Sequence, residues 1–175
     1  REDFDRAYVY AARDQWDEIM EDCKGVTSAR WKYIRNDMPE VPYDAGQAYL
    51  EFYRPAVHIM RDLKKAGKLS AAEAFFFGSE KPLEELYDLK NDPLEAVNLA
   101  QDPAYKKQLK RLRKKTKRFD RKMKPVADDY YPTHSTAVDI LAFVKENYPK
   151  DYQQMLAGKE IGFHRMLKLY EASKE

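Results

Sequence analysis

The sequence predicts an α+β fold in which a small four-stranded antiparallel sheet packs against a long amphipathic helix, with a helical extension at the C-terminus. Two observations lead to this prediction. Short β-prone segments lie before residue 37 and again near residue 87, and helix-spaced apolar residues dominate after residue 102. At 175 residues, 13% of them aromatic, the chain has enough apolar surface to bury a core, unlike disordered proteins.

Four short segments have the composition of β-strands. Residues 7–12 are β-prone and bounded by charged residues. Residues 26–27 and 31–35 alternate or cluster like two strands of a meander, and Leu86 to Leu89 supply the fourth. Asn91-Asp92-Pro93 then forces the chain out of the last strand, since proline cannot continue a ladder of backbone hydrogen bonds.

Between the third and fourth strands the sequence predicts two helices. The first is long, ends at Gly67 and is kinked or split by Pro55, which cannot donate an internal hydrogen bond. The second is short and runs from the capping box Ser70-Ala71-Ala72-Glu73 through Phe76. The apolar stripe of the first helix consists of Ala45, Ala48, Tyr49, Phe52, Ala56, Ile59, Met60 and Leu63.

The best-defined helix begins at Asp102, an N-cap residue, with Pro103 at the first helical position, and ends at Pro125. Apolar residues follow at alternating steps of four and three, which gives one stripe about five turns long. The members of this stripe are Tyr105, Leu109, Leu112, Thr116, Phe119 and Met123.

The segment after this helix is interpreted as a C-terminal extension. Residues 128–132 are typical of a linker, and helices are predicted over about 135–147 and again around 161–170. The predicted domain organisation is therefore a first domain over 1–124 and a helical extension over 125–175.

Composition limits the chemistry that this chain can perform. A net charge of +2 gives no reason to expect a nucleic-acid or membrane partner, and no apolar run is long enough to span a bilayer. The single Cys23 follows Glu21 and Asp22, whose charges disfavour a reactive thiolate. His58, His134 and His164 lack the spacing of metal ligands. We expect no self-contained active site.

The segment from Lys106 to Lys124 is strongly basic and has three interpretations. The charges occupy the exposed faces of an amphipathic helix, or they bind nucleic acid, or they meet a sulfated polysaccharide electrostatically. The first is favoured because the apolar stripe explains the segment. Nucleic acid is disfavoured because no aromatic residues lie among the cations to stack on bases.

A second polar constellation, Arg13-Asp14-Gln15-Trp16-Asp17-Glu18, is placed where the first predicted strand gives way to a loop. Carboxylates and a guanidinium at a strand end can bind sugar hydroxyls or a charged substituent, and Trp16 could stack on a sugar face. The alternative is a solvated loop with a salt bridge from Arg13 to Asp17 or Glu18.

Three segments of the chain occur together, and in the same order, in one protein family. They are residues 8–18, residues 26–36 (Val-Thr-Ser-Ala-Arg-Trp-Lys-Tyr-Ile-Arg-Asn) and residues 85–100, which run from Glu-Leu-Tyr-Asp-Leu to Asn-Leu-Ala. In order and spacing they resemble the C-terminal subdomain of bacterial sulfatases of the alkaline-phosphatase superfamily, of the type similar to heparan N-sulfatase. The resemblance covers about residues 1–122.

The resemblance implies hydrolysis of a sulfate ester or sulfamate of a sulfated carbohydrate by the full-length protein. Such enzymes use a formylglycine, made from a C-x-P-x-R motif, beside a calcium ion. Here Cys23 is followed by Lys24-Gly25-Val26-Thr27, so formylglycine and calcium are expected in an N-terminal domain outside this chain, with none on the chain itself. We therefore expect this chain alone to be inactive.

The resemblance also implies a place and partners for the chain. The expected partners are its own N-terminal sulfatase domain and a sulfated carbohydrate, without nucleic acid or membrane, in the periplasm or outside the cell. Arg13, Asp14, Asp17 and Glu18 are carried over as substrate-binding residues, with no catalytic or metal-binding residue assigned. Because the subdomain leans on a larger domain, its sheet is expected to expose an apolar face around Tyr8, Tyr10 and Trp31.

One alternative belongs to another functional class. The chain would then be a free-standing α+β binding module whose basic helix, residues 103–124, contacts an anionic polymer or a partner protein. The two hypotheses differ in whether the parent gene encodes a catalytic domain with a C-x-P-x-R motif.

Overall fold

A computed structural model describes residues 6–17, 19–54, 56–123 and 136–174. Their packing divides the chain into two compact units. The sheet unit comprises residues up to 16, 20–41 and 79–130, and the helical unit comprises 17–19, 42–78 and 131–175. The strands are β1 (Val9–Trp16), β2 (Ile19–Thr27), β3 (Trp31–Asn36) and β4 (Glu84–Asp88). The helices are α1 (Ala56–Lys65), α2 (Ala71–Phe75), α3 (Lys106–Asp120), α4 (Thr136–Asn147), α5 (Pro149–Leu156) and α6 (Phe163–Ala172).

The four strands form one antiparallel sheet in the order β1-β2-β3-β4, which confirms the predicted sheet and the α+β class. The register is defined for the β2–β3 pair and for the β3–β4 pair. Tyr33 of β3 lies opposite Val26 of β2 and opposite Leu86 of β4. Because side chains alternate along a strand, these three residues share one face. All three are buried, and they form the sheet side of the core.

Helix α3 covers this face. Leu109 and Leu112 pack with Val26, Tyr33 and Leu86 in one cluster. The helix entry is as predicted, because Asp102 accepts a hydrogen bond of 2.8 Å from the Ala104 amide and Pro103 opens a 3₁₀ turn over Pro103–Tyr105. The helix ends at Asp120, earlier than the predicted Pro125.

The predicted exposed apolar face is wrong in part: α3 and the turn before it engage its aromatic residues, although Tyr10 is still 36% exposed and Val9 57% exposed. Tyr10 stacks on Phe119 with 4.9 Å between ring centroids, and Trp31 meets Tyr105 edge-on at 5.7 Å. Tyr8 packs against the same cluster. These aromatic rings, which were expected to be exposed in the absence of a larger domain, therefore contact residues within the sheet unit.

The segment that follows β4 is held by polar side chains bonded to backbone. Asn98 accepts hydrogen bonds of 3.0 Å from the Leu86 and Ala100 amides and donates one to the Glu84 carbonyl. Asp92 accepts from the amides of Ala96 and Val97 at 3.0 and 2.9 Å. Asp88, on the strand itself, forms a two-point pair with Arg30 at 2.7 and 3.0 Å. Asn98 and Asp92 thus each fix a particular stretch of backbone.

The helical unit has its own apolar core, in which Phe52, Ile140 and Met155 are fully buried. Two predictions about its helices are confirmed. The capping box at α2 forms, with the Ser70 amide donating to Glu73 at 2.8 Å and the Glu73 amide donating to Ser70. Gly67, at φ +66°, lies in the turn that follows α1.

The long first helix is interrupted. A π-helical turn spans Tyr49–Tyr53, Arg54 leaves helical geometry, and α1 begins at Ala56; Pro55 lies outside the described residues. The predicted apolar stripe is consequently wrong in part, because Ile59 is 41% exposed while Glu51 and His58 are buried. The wider turn and the break rotate the buried face relative to a regular 3.6-residue helix.

The C-terminal extension contains one more helix than predicted, since α5 lies between the two predicted helices. The predicted linker at 128–132 and the boundary at residue 124 lie outside the described residues, and the division into 1–124 and 125–175 stays a prediction. In the structure, residues 42–78 pack with the helices after residue 135. Among the helices described, none has the length and apolarity to cross a membrane.

Candidate functional site

The first predicted substrate-binding residue, Arg13, lies within β1 rather than in a loop after it. The strand continues to Trp16, because a tight turn at Asp17 joins it directly to β2. The Arg13 side chain pairs with Glu21 of the neighbouring strand, not with Asp17. Its guanidinium also lies over the Trp16 ring, 5.5 Å from the ring centroid.

Arg13 belongs to a polar group that we call the Glu21 cluster, which consists of Arg13, Glu21, Cys23 and Lys81. The carboxylate of Glu21 is 3% exposed and pairs with both Arg13 and Lys81. The Lys81 side chain is fully buried, whereas that of Arg13 is 40% exposed. Because Lys81 is buried, Arg13 is the cation of the cluster that is presented to solvent. A guanidinium in this position can bind a sulfate or carboxylate group at two points.

Cys23 has none of the properties of the family's modified cysteine. Burial, and secondarily the Glu21 carboxylate, raises the pKa of the Cys23 thiol, and the charges of Arg13 and Lys81 offset this only in part. The thiol is therefore protonated at neutral pH and is a poor nucleophile. Because the sequence after it is Lys-Gly-Val-Thr, the residues present do not fit a formylglycine site.

Of the other predicted substrate residues, the structure describes Asp14 and Asp17. Asp14 is half-buried on β1 in the sheet unit, whereas Asp17 belongs to the helical unit. Asp17 adopts φ +49° in the turn and accepts a hydrogen bond from the buried Gln47 amide. This bond gives Asp17 a structural role in the turn. Glu18 lies outside the described residues.

A second buried polar network lies on the sheet and was missed from the sequence. Asn36 donates to Glu85 and to the Pro82 carbonyl, both at 2.7 Å, and the Tyr87 hydroxyl donates to Glu85 at 2.6 Å. All three side chains are buried. Side chains alternate along a strand, so Glu85 and Tyr87, on either side of Leu86, lie on the face opposite α3. This alternation was the signal for the network that the sequence offered.

The helical unit contains a further polar site, at a pocket of about 210 Å³. Its floor is the Glu51 carboxylate, 1% exposed, which pairs with Arg61 and approaches His58 at 3.4 Å. Arg61 also makes a two-point pair with Asp44 at 2.5 and 2.6 Å. Burial lowers the pKa of Arg61, but hydrogen bonds to Glu51 and Asp44 outweigh it and raise the pKa. Lys145 and Tyr152 line the pocket from α4 and α5.

The sequence offered only a partial signal for this pocket, because a π-helical turn over Tyr49–Tyr53 interrupts the regular helix in which the spacing below would define one face. Glu51, His58 and Arg61 are separated by seven and three residues, a spacing that is typical of one helical face. Arg61 pairs with both Glu51 and Asp44, so each of these three residues has an ionic partner in the network.

Two further predictions concern metal ions. His58 contacts Glu51, and His164 shares a hydrogen bond of 2.6 Å with the Tyr53 hydroxyl; His134 lies outside the described residues. Within the part of the chain that the structure describes, no group of three or more His, Cys, Asp or Glu side chains could hold a metal ion.

Comparison with known proteins gives one informative relative. The ulvan-active sulfatase of Formosa agariphila is 39% identical to this chain over 129 residues, which is 71% of this chain and 20% of the sulfatase. No family model matches the chain. The chain thus spans about a fifth of the length of this relative.

Solved structures of sulfatases also match. A 2-O GAG sulfatase is 22% identical, with a TM-score of 0.37, over 73% of this chain and 20% of that one. A predicted sulfatase from Bacteroides thetaiotaomicron gives the same identity and TM-score over 78% of this chain and 24% of that one. These superpositions are too loose to carry a functional argument. The sequence relationship to the ulvan-active sulfatase identifies the chain as a sulfatase-related C-terminal region.

Proposed function

We propose that this chain is the C-terminal part of a sulfatase that hydrolyses sulfate esters or sulfamates of a sulfated carbohydrate. In this proposal it contributes scaffold and substrate-pocket residues, and the nucleophile and calcium ion come from an N-terminal domain of the same protein. The full-length protein acts in the periplasm or outside the cell, where polysaccharide substrates are found.

The observation that carries the proposal is the 39% identity to the ulvan-active sulfatase over 129 residues. The composition of the Glu21 cluster adds support for a binding role. Arg13 offers a half-exposed guanidinium whose position is held by the buried Glu21 carboxylate, so little conformational entropy is lost when an anion binds. A sulfate or uronate group is the matching ligand.

A scaffold role is the natural one for residues 84–100. The side chains of Asn98 and Asp92 are used to hold backbone and are therefore not available to a substrate. Cys23 is unsuited to nucleophilic attack for the reasons of burial and charge given above. We therefore expect no sulfate release by the 175-residue chain alone.

The first test compares this chain with the full-length product of its gene, matured to formylglycine, in the release of sulfate from an aryl sulfate with calcium present. Activity in the longer protein alone would support the proposal. Activity in neither would favour the alternative of a binding module, and activity in the short chain would contradict the assignment of the nucleophile to another domain.

The second test concerns Arg13 in the full-length enzyme. Arg13→Ala should lower kcat/KM on a sulfated oligosaccharide about 10-fold or more, since the guanidinium binds an anionic group beyond the scissile bond, but should leave aryl sulfate turnover nearly unchanged. Arg13→Lys keeps a positive charge that can pair with Glu21 but cannot bind an anion at two points. This variant therefore separates an effect of lost folding from an effect of lost two-point binding. Arg165→Ala, at another half-exposed arginine, is the matched control. Equal losses on both substrates would remove Arg13 from substrate recognition.

A further inference from the structure

Helix α3 and the turn after it concentrate positive charge. Residues 106–122 contain eleven Lys and Arg and one acidic residue, Asp120, so this segment carries +10 while the whole chain carries +2. The rest of the chain therefore carries −8. The asymmetry is a property of one helix and is hidden in the total charge.

Five of these cations lie on one line along the helix, and we call them the basic stripe. Their steps of three, four, three and four residues place them on the side opposite the buried Leu109, Leu112 and Thr116. All five are exposed. With a rise of 1.5 Å per residue, the stripe is about 20 Å long. Its members are Lys107, Lys110, Lys114, Lys117 and Arg121.

The stripe has no acidic partner among the residues that the structure describes. Two carboxylates that pair with or belong to α3 have partners outside the stripe. Asp120 pairs with Arg35 at 2.8 Å, and Glu84 pairs with Arg113. None of the stripe residues forms an ion pair with another described residue. Like charges three and four residues apart repel one another, which costs helix stability.

A polymer with regularly spaced anionic groups would relieve this repulsion along its whole length and release bound counterions. We propose that the basic stripe is an accessory binding surface for a sulfated polysaccharide, separate from the Glu21 cluster. The choice of polymer rests on the proposed function, and the presence of an anion-binding surface rests on the geometry of α3.

The aromatic residues near α3 favour a polysaccharide over nucleic acid. Tyr8 is engaged by Arg111 and by Lys115, whose Nζ lies 4.5 Å from the ring centroid, and Phe119 is stacked on Tyr10. Binding of single-stranded nucleic acid relies on aromatic rings that are free to stack on bases. The stripe itself has no aromatic residue, which fits a ligand that presents only charge.

The test measures the affinity of the full 175-residue chain for dextran sulfate, uncharged dextran and a DNA duplex at several salt concentrations. We expect dextran sulfate to bind and dextran not to bind. Replacing the five stripe residues by glutamine (K107Q/K110Q/K114Q/K117Q/R121Q) should lower the affinity at least 10-fold. The slope of log affinity against log salt concentration should also become less steep. The change in slope is about 4 if each cation contributes roughly 0.9, as on duplex DNA.

The matched control removes five exposed lysines elsewhere, K68Q/K90Q/K150Q/K159Q/K168Q, and thus makes the same change in net charge. Its affinity should stay within about 2-fold of the parent chain. A two-site variant, K114Q/K117Q, gives a smaller loss and serves if the five-site variant does not fold, which circular dichroism would reveal.

Three outcomes would overturn the inference. An equal loss in the control variant would mean that net charge alone drives binding, and equal binding to dextran would exclude an electrostatic surface. DNA binding as tight as that of dextran sulfate would instead assign the stripe to nucleic acid. Hydrolysis of an aryl sulfate by the full-length protein does not involve the stripe, so the inference and the proposed function can fail separately.

Discussion

The sheet unit and the helical unit are stabilised by different kinds of interaction. In the sheet unit a small apolar core between α3 and the sheet is flanked by charged pairs such as Arg30 with Asp88, and by side chains bonded to backbone such as Asn98. The helical unit has a larger apolar cluster around Phe52 and Ile140, and a network of charged groups, Glu51, Arg61 and Asp44, lies at a pocket of this unit.

This difference explains where the chain carries recognisable motifs. A side chain that accepts a hydrogen bond from a particular backbone amide must carry an oxygen in the right place, so few residue types suit positions such as 92 and 98. An apolar core accepts many combinations of residues if volume and pattern are kept. The segments that carry the resemblance noted in the sequence lie almost entirely in the sheet unit, and the last fifty residues matched no known pattern.

The largest expected effect is in the apolar core of the helical unit. Phe52→Ala should lower the free energy of unfolding by about 3–5 kcal/mol, because it removes a fully buried ring and leaves a cavity. Urea denaturation followed by far-ultraviolet circular dichroism measures the change. Phe52→Leu, which keeps most of the volume, should cost much less. A loss below about 1 kcal/mol for the alanine variant would contradict the assignment of Phe52 to the core.

An intermediate effect is expected for the polar motif of the sheet unit. Asn98→Ala leaves the Leu86 and Ala100 amides without their acceptor and should cost about 1–3 kcal/mol. Trp16 and Trp31 are the two tryptophans of the chain and both lie in the sheet unit, so their fluorescence during denaturation reports on it. Asn98→Asp keeps the acceptor oxygen and should be milder. The matched control is Asn91→Ala, at an exposed position, and equal costs at both asparagines would refute the structural role of Asn98.

The smallest effect concerns the charged pairs of the sheet unit. A hydrogen bond from Arg113 lowers the pKa of Glu84, and one from Arg35 lowers the pKa of Asp120. A carboxyl group with a lowered folded pKa stabilises the fold above its unfolded pKa of about 4, and this contribution is lost as the pH falls through the folded pKa. The free energy of unfolding should therefore decrease on acidification from pH 5.

Arg113→Gln tests one of these pairs. It should cost about 0.5 kcal/mol at pH 7, as is typical of partly exposed pairs, and less at pH 2, because a fall in pH favours protonation of Glu84. Denaturation followed by tryptophan fluorescence at both pH values measures the difference. Lys90→Gln, at an exposed lysine, is the control. A cost for Arg113→Gln that does not change with pH would show that packing, rather than the ion pair, is responsible.

Local signals in the sequence were sufficient for part of the fold. Three features depend only on residues a few positions apart in the sequence, and each was predicted. They are the N-cap Asp102, the capping box at Ser70 and the apolar spacing of α3. β2 was predicted only at its end, because Glu21 and Lys24 interrupt the apolar alternation and are buried through ion pairs with distant residues. Such partners become visible only when the register of the strands is known.

The candidate site was less predictable for the same reason. Arg13 was identified as a candidate from its residue type, yet its partner Glu21 lies across the β1–β2 hairpin, where pairing depends on the tight turn at Asp17. The Glu51 pocket was missed because the π-helical turn alters which residues face inward. In both cases the deciding information is backbone geometry at one turn.

The position of β1 at the edge of the sheet has a consequence for assembly. An edge strand presents backbone donors and acceptors on its outer side, and another extended segment can add to the sheet there. Since α3 covers the sheet's face, strand addition at β1 would not compete with the packing of that helix. Arg13 and Asp14 place charges within this strand, and charges on an edge oppose the pairing of identical chains while permitting a segment of complementary sequence.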